Sequence, residues 1–159
     1  NLCEAKGKKQ VVYLSMSFGN PYGDPYSPEL IAEFVEKLAQ LQIETVSLSD
    51  TIGIASPELI TQLFEMQTQA FPQIQLGAHL HSRPESIEEK VNAALKGGCR
   101  RFDGALQGFG GCPMAKDELV GNMATEMMIE VLESQGYELN LNKSELAESL
   151  KLAKFVFNS

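Results

Sequence analysis

Basic clusters are missing from this sequence: 159 residues carry 13 basic against 21 acidic side chains, for a formal net charge of -8. Without a Lys/Arg stripe to follow a phosphate backbone, nucleic acid is not an expected partner. Long apolar runs are missing too. None approaches the roughly 20 residues that cross a bilayer, so no membrane partner is expected. The opening Asn-Leu-Cys-Glu-Ala-Lys has neither an initiating Met nor the apolar stretch of a signal peptide, which predicts an internal piece of a soluble protein. Cysteine is scarce. Cys3, Cys99 and Cys112 are an odd number with no C-x-x-C pair, which argues against a disulfide framework or a structural zinc and for a reducing compartment. Histidine is scarcer still, with only His79 and His81. What remains, 43% apolar and 21% charged, is the composition of one soluble domain or part of one.

The apolar residues fall into alternating strand and helix patterns. Val11 to Ser17 is a β-branched and aromatic run closed by Gly19-Asn20-Pro21, a strand and a loop. Ser27 then caps a helix with Pro28 at its first position and Leu30, Ile31, Phe34, Val35, Leu38 and Leu41 on one side. Ser-Pro-Glu-Leu-Ile recurs 29 residues later, at 56–60, and each copy opens a helix leading into an apolar strand, Ile43–Ser49 and Ile74–Leu80. A third helix from about Pro84 to Lys96 ends at Gly97-Gly98 and precedes a fourth strand at about Arg101–Leu106. Gln107 to Gly121 is a stretch of 15 residues with four glycines and no periodicity, a length at which loops tend to be functional. Helices at roughly Met123–Ser134 and Lys143–Phe157 close the chain. Strands alternating with helices predict an α/β fold with parallel neighbours, in an open sheet or part of a barrel. A complete (β/α)8 barrel needs about 250 residues, so only half of one is available.

In either architecture, reactive groups belong at the C-terminal ends of the strands. Strand two ends in Ser49-Asp50-Thr51, strand three in His79-Leu80-His81, and strand four leads into the glycine-rich loop with Cys112 and Asn122. His79 and His81 are two apart on a strand, so both imidazoles point to one side and can meet one ion or line a barrel interior. Asp50 and Asn122 would add oxygen ligands suited to Mg²⁺ or Mn²⁺, whereas Cys112 would favour zinc. Asp50 could equally cap a turn, and Asn122 the helix that follows. Cys112, between glycines and Pro113, has the setting of a reactive thiol, whereas Cys99 reads as a small buried residue. Met123, Met127 and Met128 read as packing, and Glu126 as either a support for Asn122 or a solvated side chain. The glycines lack a dinucleotide-binding spacing.

Four segments, SLSDTIG, the H-x-H of GAHLHS, GFGGCPMA and GNMATE, stand in the same order as in 3-hydroxy-3-methylglutaryl-CoA lyases, and from about Val11 to Glu126 the chain resembles that family. The cysteine in the loop separates it from the isopropylmalate and homocitrate synthases, whose loop resembles G-x-G-E-R-A-G-N. The resemblance implies the C-terminal half of a TIM barrel: a single partial domain over 1–159, with the half-barrel at 11–135 and a closing helix at about 143–157. It implies that His79, His81 and Asn122 ligate a divalent cation, Mg²⁺ or Mn²⁺, that Cys112 takes part in acid–base chemistry, and that Asp50 is an active-site aspartate. It also implies a CoA-thioester substrate, and a cytoplasmic location in a bacterium or the mitochondrial matrix in a eukaryote. Two departures stand out. The family's Asp-Arg pair from the first barrel strand is not in this chain, and Ser82-Arg83-Pro84 replaces the Asp-Thr that many members have. The piece is therefore expected to be inactive alone, and its unpaired strand edges to meet a missing N-terminal half-barrel or a second copy in a homo-oligomer. A related Claisen-type synthase, an amidohydrolase and a non-catalytic metal-binding module are the competing readings; the amidohydrolase would require further histidines.

Overall fold

Capping and period-2 alternation, the two strongest local patterns in the sequence, account for most of the architecture. The computed structural model describes residues 2–110 and 120–157. Its strands β1 (Val12–Leu14), β2 (Thr45–Asp50), β3 (Gln75–Leu80) and β4 (Arg101–Asp103) form one parallel sheet in chain order. Its helices are α1 (Leu2–Ala5), α2 (Pro28–Gln40), α3 (Pro57–Ala70), α4 (Ile87–Lys96), α5 (Thr125–Ser134) and α6 (Lys143–Phe157). The repeated Ser-Pro-Glu segment does the same work twice. Ser27 accepts a hydrogen bond from the Leu30 amide at 3.2 Å and Ser56 one from the Leu59 amide at 3.3 Å, while Pro28 and Pro57 occupy the first turn, where no N–H is required.

Each strand divides its residues between two environments. Val46, Leu48, Ala78 and Leu80 point toward the helices and join Ile60, Leu63, Phe64 and Val91 in the buried core. The opposite side of the sheet is polar. Tyr13, Ser47, Gly77 and Arg101 lie in register across it, with Ser49, His79 and Asp103 in the next layer. The Arg101 guanidinium donates to Ser47 Oγ at 2.6 Å and to Asp103 Oδ2 at 2.7 Å. Gly77 makes room for this group: a Cβ there would stand 2.7 Å from both Arg101 Nη1 and Ser47 Oγ. A polar sheet face between two strands, β1 and β4, whose outer edges have no strand neighbour among the described residues has the form of an arc of a barrel.

Several boundaries differ from the sequence expectation. β1 stops at Leu14 because Met16 takes a left-handed conformation (φ 56°), its amide donating to Thr51 Oγ1 at 2.8 Å. β4 stops at Asp103, and Leu106 starts a short 3-10 turn. Pro84–Ser86 is also a 3-10 turn ahead of α4. The short α1 was not anticipated. Cys99 is fully buried, its thiol pushed up to about 12 by burial, and it packs in the core as expected. Met123 and Met128 are core residues as well.

Candidate functional site

The C-terminal ends of β1, β2 and β3 enclose a cavity of about 440 Å³ lined by Tyr13, Ser15, Ser49, Thr51, His79, His81 and Asn122. The two imidazoles face each other with ring centroids 5.6 Å apart and planes at 74°, and Tyr13 stands edge-on to His79 at 5.4 Å. Asn122 reaches them because residues 120–123 run back along the end of β3. His81 and Asn122 form an antiparallel bridge, the Ser82 amide donates to Gly121 O at 3.1 Å, and the Met123 amide donates to Leu80 O at 3.3 Å. The close approach depends on two glycines. A Cβ on Gly121 would lie 2.8 Å from Gly108 O, and one on Gly108 2.8 Å from Asn122 O.

Hydrogen bonds fix which atoms face the cavity. His81 Nδ1 lies 3.1 Å from Val120 O; a carbonyl only accepts, so Nδ1 carries the proton and the Nε2 lone pair stays available. Asn122 Nδ2 donates to Phe109 O at 3.0 Å, and Oδ1 remains as its acceptor, with no partner among the described residues. His79 Nδ1 and Ser49 Oγ, on register-paired residues, are buried without a hydrogen-bond partner among the described residues. Orphaned polar atoms beside two imidazoles are the condition in which an ion or ordered water is expected. The donor set of two imidazole nitrogens and one amide oxygen thus fits a borderline-to-hard divalent cation. Among the described residues no three His, Cys, Asp or Glu side chains cluster, so further ligands would have to come from substrate, water or other residues.

His79 is held below its ordinary value of 6.5, first by burial and then by the charge that His81 would carry. A folded-state value below the unfolded one means that the unfolded chain takes up this proton first as pH falls. The stabilisation is complete above about 6.5 and is lost as pH drops from there through the lowered value. In metal-free full-length protein, the urea midpoint should fall below pH 6.5 with a steeper slope for wild type than for His79→Gln. Equal slopes would show that His79 carries no such linkage.

Asp50 requires a correction. Read as a candidate oxygen ligand, a turn cap or, by resemblance, an active-site aspartate, it shares strand parity with Val46 and Leu48 and turns to the helix side, 1% exposed. Its Oδ1 accepts from the Ile54 amide at 3.0 Å, and its Oδ2 from the Ala55 amide and Lys90 Nζ, both at 3.1 Å. The turn-capping alternative describes this geometry. The Lys90 partnership had no signal in the sequence, since it arrives from α4, 40 residues away. A pair at 6% and 1% side-chain exposure is also unlike the solvated Lys151–Glu148 contact: removing one partner costs about 3–5 kcal/mol when buried, against about 0–1 at a surface.

Asn122 does not cap α5, which begins at Thr125 behind Ala124. Glu126, read as either a support for Asn122 or a solvated side chain, instead accepts from the Gln107 amide through Oε2 at 3.0 Å. Cys112 lies outside the described residues. Tyr13, Ser15, Ser49 and Thr51 were not singled out from sequence, although their odd-numbered positions share parity with His79.

A parallel α/β arc with its polar groups gathered at the C-terminal strand ends defines the class of barrel-type proteins with a strand-end site. Comparison with known proteins is more specific. The HMGL-like family model matches residues 4–153, and the chain belongs to that family. It is 34% identical over 136 residues to the hydroxymethylglutaryl-CoA lyase of Pseudomonas mevalonii, covering 86% of this chain and 45% of the relative. It is 31% identical over 137 residues to the human mitochondrial hydroxymethylglutaryl-CoA lyase, covering 86% of this chain and 42% of that protein. The crystal structure of the Bacillus subtilis HMG-CoA lyase superposes with a TM-score of 0.90 at 30% identity, over 100% of this chain and 53% of that one. An HMG-CoA lyase from Acinetobacter baumannii, in complex with coenzyme A and 3-methylmalate, does so at 0.82 and 28%, over 98% and 51%. The chain thus spans about half the length of these relatives, whose fold is a TIM barrel, and the half-barrel expectation is met. No described helix is long and apolar enough to cross a membrane.

Proposed function

We propose that this chain is the C-terminal half-barrel of a divalent-metal-dependent carbon–carbon lyase that cleaves 3-hydroxy-3-methylglutaryl-CoA to acetyl-CoA and acetoacetate. One observation carries the reading. His79, His81 and Asn122 line one cavity at the strand ends, with His81 oriented through Val120 and Asn122 through Phe109. These three residues would hold Mg²⁺ or Mn²⁺, which when bound supplies Lewis-acid polarisation and lowers the pKa of a coordinated hydroxyl. In a retro-Claisen cleavage the tertiary hydroxyl loses its proton, the bond from its carbon to the thioester α-carbon breaks, and the thioester enolate takes up a proton. The first proton must leave to a group facing the cavity, which Asp50 does not. Cys112 supplies the second. Among the described residues, Gly110 accepts from the Asn122 amide at 3.1 Å and Val120 O pairs with His81 Nδ1 at 3.1 Å, and these two contacts support the assignment of Cys112, which lies between them in sequence.

The missing N-terminal half-barrel is the partner we assign to the outer edges of β1 and β4, which have no strand neighbour among the described residues. The 159 residues alone are then inactive, and association of whole chains into a homo-oligomer belongs to the same reading. The location is cytoplasmic in a bacterium or the mitochondrial matrix in a eukaryote.

The test is an assay of a chain of the relatives' full length with 3-hydroxy-3-methylglutaryl-CoA and Mg²⁺ or Mn²⁺. Equal amounts of acetyl-CoA and acetoacetate are expected. Condensation of acetyl-CoA with a 2-oxo acid in place of cleavage would move the protein to the synthases, and metal binding with no thioester chemistry would make it a binding module.

A further inference from the structure

Lys90 is 5% exposed, lies outside the cavity and is used by no step above. Its ammonium has three hydrogens and three acceptors: Asp50 Oδ2 at 3.1 Å, Gly53 O at 3.2 Å and His81 O at 2.9 Å. Asp50 is the end of β2, Gly53 belongs to the loop after it, and His81 follows the end of β3. An ammonium is a compact point charge whose donors can diverge to separate acceptors, whereas the planar fork of an Arg could not reach the same three. We propose that Lys90 is a positioning residue for the strand-end site: by holding the His81 carbonyl to the Asp50–Gly53 turn, it fixes the backbone from which the His81 imidazole projects toward Val120 O and the cavity.

This inference rests on the proposed function for its consequence but not for its geometry. A buried Lys–Asp pair could serve stability alone, and the two roles separate in a double substitution. Lys90→Met leaves the Asp50 charge buried without its partner, and its unfolding midpoint should drop by about 10 °C or more. Asp50→Asn with Lys90→Met removes both charges and should regain most of that loss, since an uncharged pair no longer bears the desolvation of an unpaired carboxylate. The His81 carbonyl, however, still lacks its donor.

In the full-length protein we would compare wild type with the double variant, measuring solvent exchange of the His81 Nδ1–H by NMR and the Kd for Mn²⁺. The proposal predicts faster exchange of that proton and a 10- to 100-fold weaker Kd, the range for loss of a group that orients a metal ligand. A stable double variant with wild-type exchange and wild-type Kd would overturn it and leave Lys90 a structural residue. If wild type binds no Mn²⁺, the proposed function fails and the exchange rate alone decides: faster exchange in the double variant supports the positioning role, and equal exchange overturns it.

Discussion

Replacing His81 with Ala in the full-length protein is expected to weaken Mn²⁺ binding by more than about 100-fold, beyond the 10- to 100-fold that loss of a supporting contact typically causes. The expectation follows from the position of the ring. His81 is 6% exposed, its Nδ1 is committed to Val120 O, and so its one lone-pair nitrogen is presented in a fixed direction. Truncation removes that nitrogen without unpicking the backbone around it. Ser82 and Met123 keep their amide bonds to Gly121 O and Leu80 O, and Lys90 keeps its bond to the His81 carbonyl. The variant should therefore fold, with a melting temperature close to wild type, while titration calorimetry or the Mn²⁺ EPR signal reports the loss. His79→Ala should behave similarly, and an exposed change such as Glu88→Gln should leave the Kd unchanged. Unaltered affinity in His81→Ala would remove the metal assignment.

What could be read in the sequence was what local periodicity encodes. Two copies of Ser-Pro-Glu-Leu-Ile announced two capped helices because the capping bond spans only three residues. H-x-H announced two imidazoles on one side because strand geometry has period two. The same rule, applied to β2, would have turned Asp50 toward the helices, since it shares parity with Val46 and Leu48. Tyr13, Ser49 and the Arg101–Asp103 pair could have been collected by that rule too. Other features had no local signal. The contact of Lys90 with His81 is made across the β3–α4 turn and that with Asp50 across 40 residues, and either becomes visible only when α4 has docked on the sheet. Asn122 looked like a helix cap because an Asn shortly before an apolar helix usually is one. Its pairing with His81 and Phe109 is a tertiary choice, permitted by the close contact of Gly108 with Gly121.

Cys112→Ser should lower turnover of the full-length enzyme by about 10²–10⁴-fold, the span of general acid–base contributions, with metal affinity and stability nearly unchanged. Two residues that flank it in sequence argue for this separation of effects. Gly110 and Val120 are tied to Asn122 and His81 by backbone groups, so the two proposed metal ligands are each held by contacts that a Cys112→Ser exchange does not remove. A thiol and a hydroxyl are close in size, but a thiol near pKa 8.5 gives up its proton far more readily than a serine hydroxyl, so the exchange removes proton transfer and little else. Contrast with Cys99 sharpens the point. That thiol is sealed in the core and pushed up to about 12, and Cys99→Ala should act on stability and leave turnover near wild type. Measuring kcat with 3-hydroxy-3-methylglutaryl-CoA at saturating Mn²⁺ for both variants distinguishes the cysteines. If the enolate is protonated by Cys112, then solvent deuterium should enter the methyl group of acetyl-CoA slowly in the serine variant. Wild-type kcat and wild-type deuterium uptake in Cys112→Ser would assign the proton to another group, with Tyr13, which stands edge-on to His79 in the cavity, to examine next.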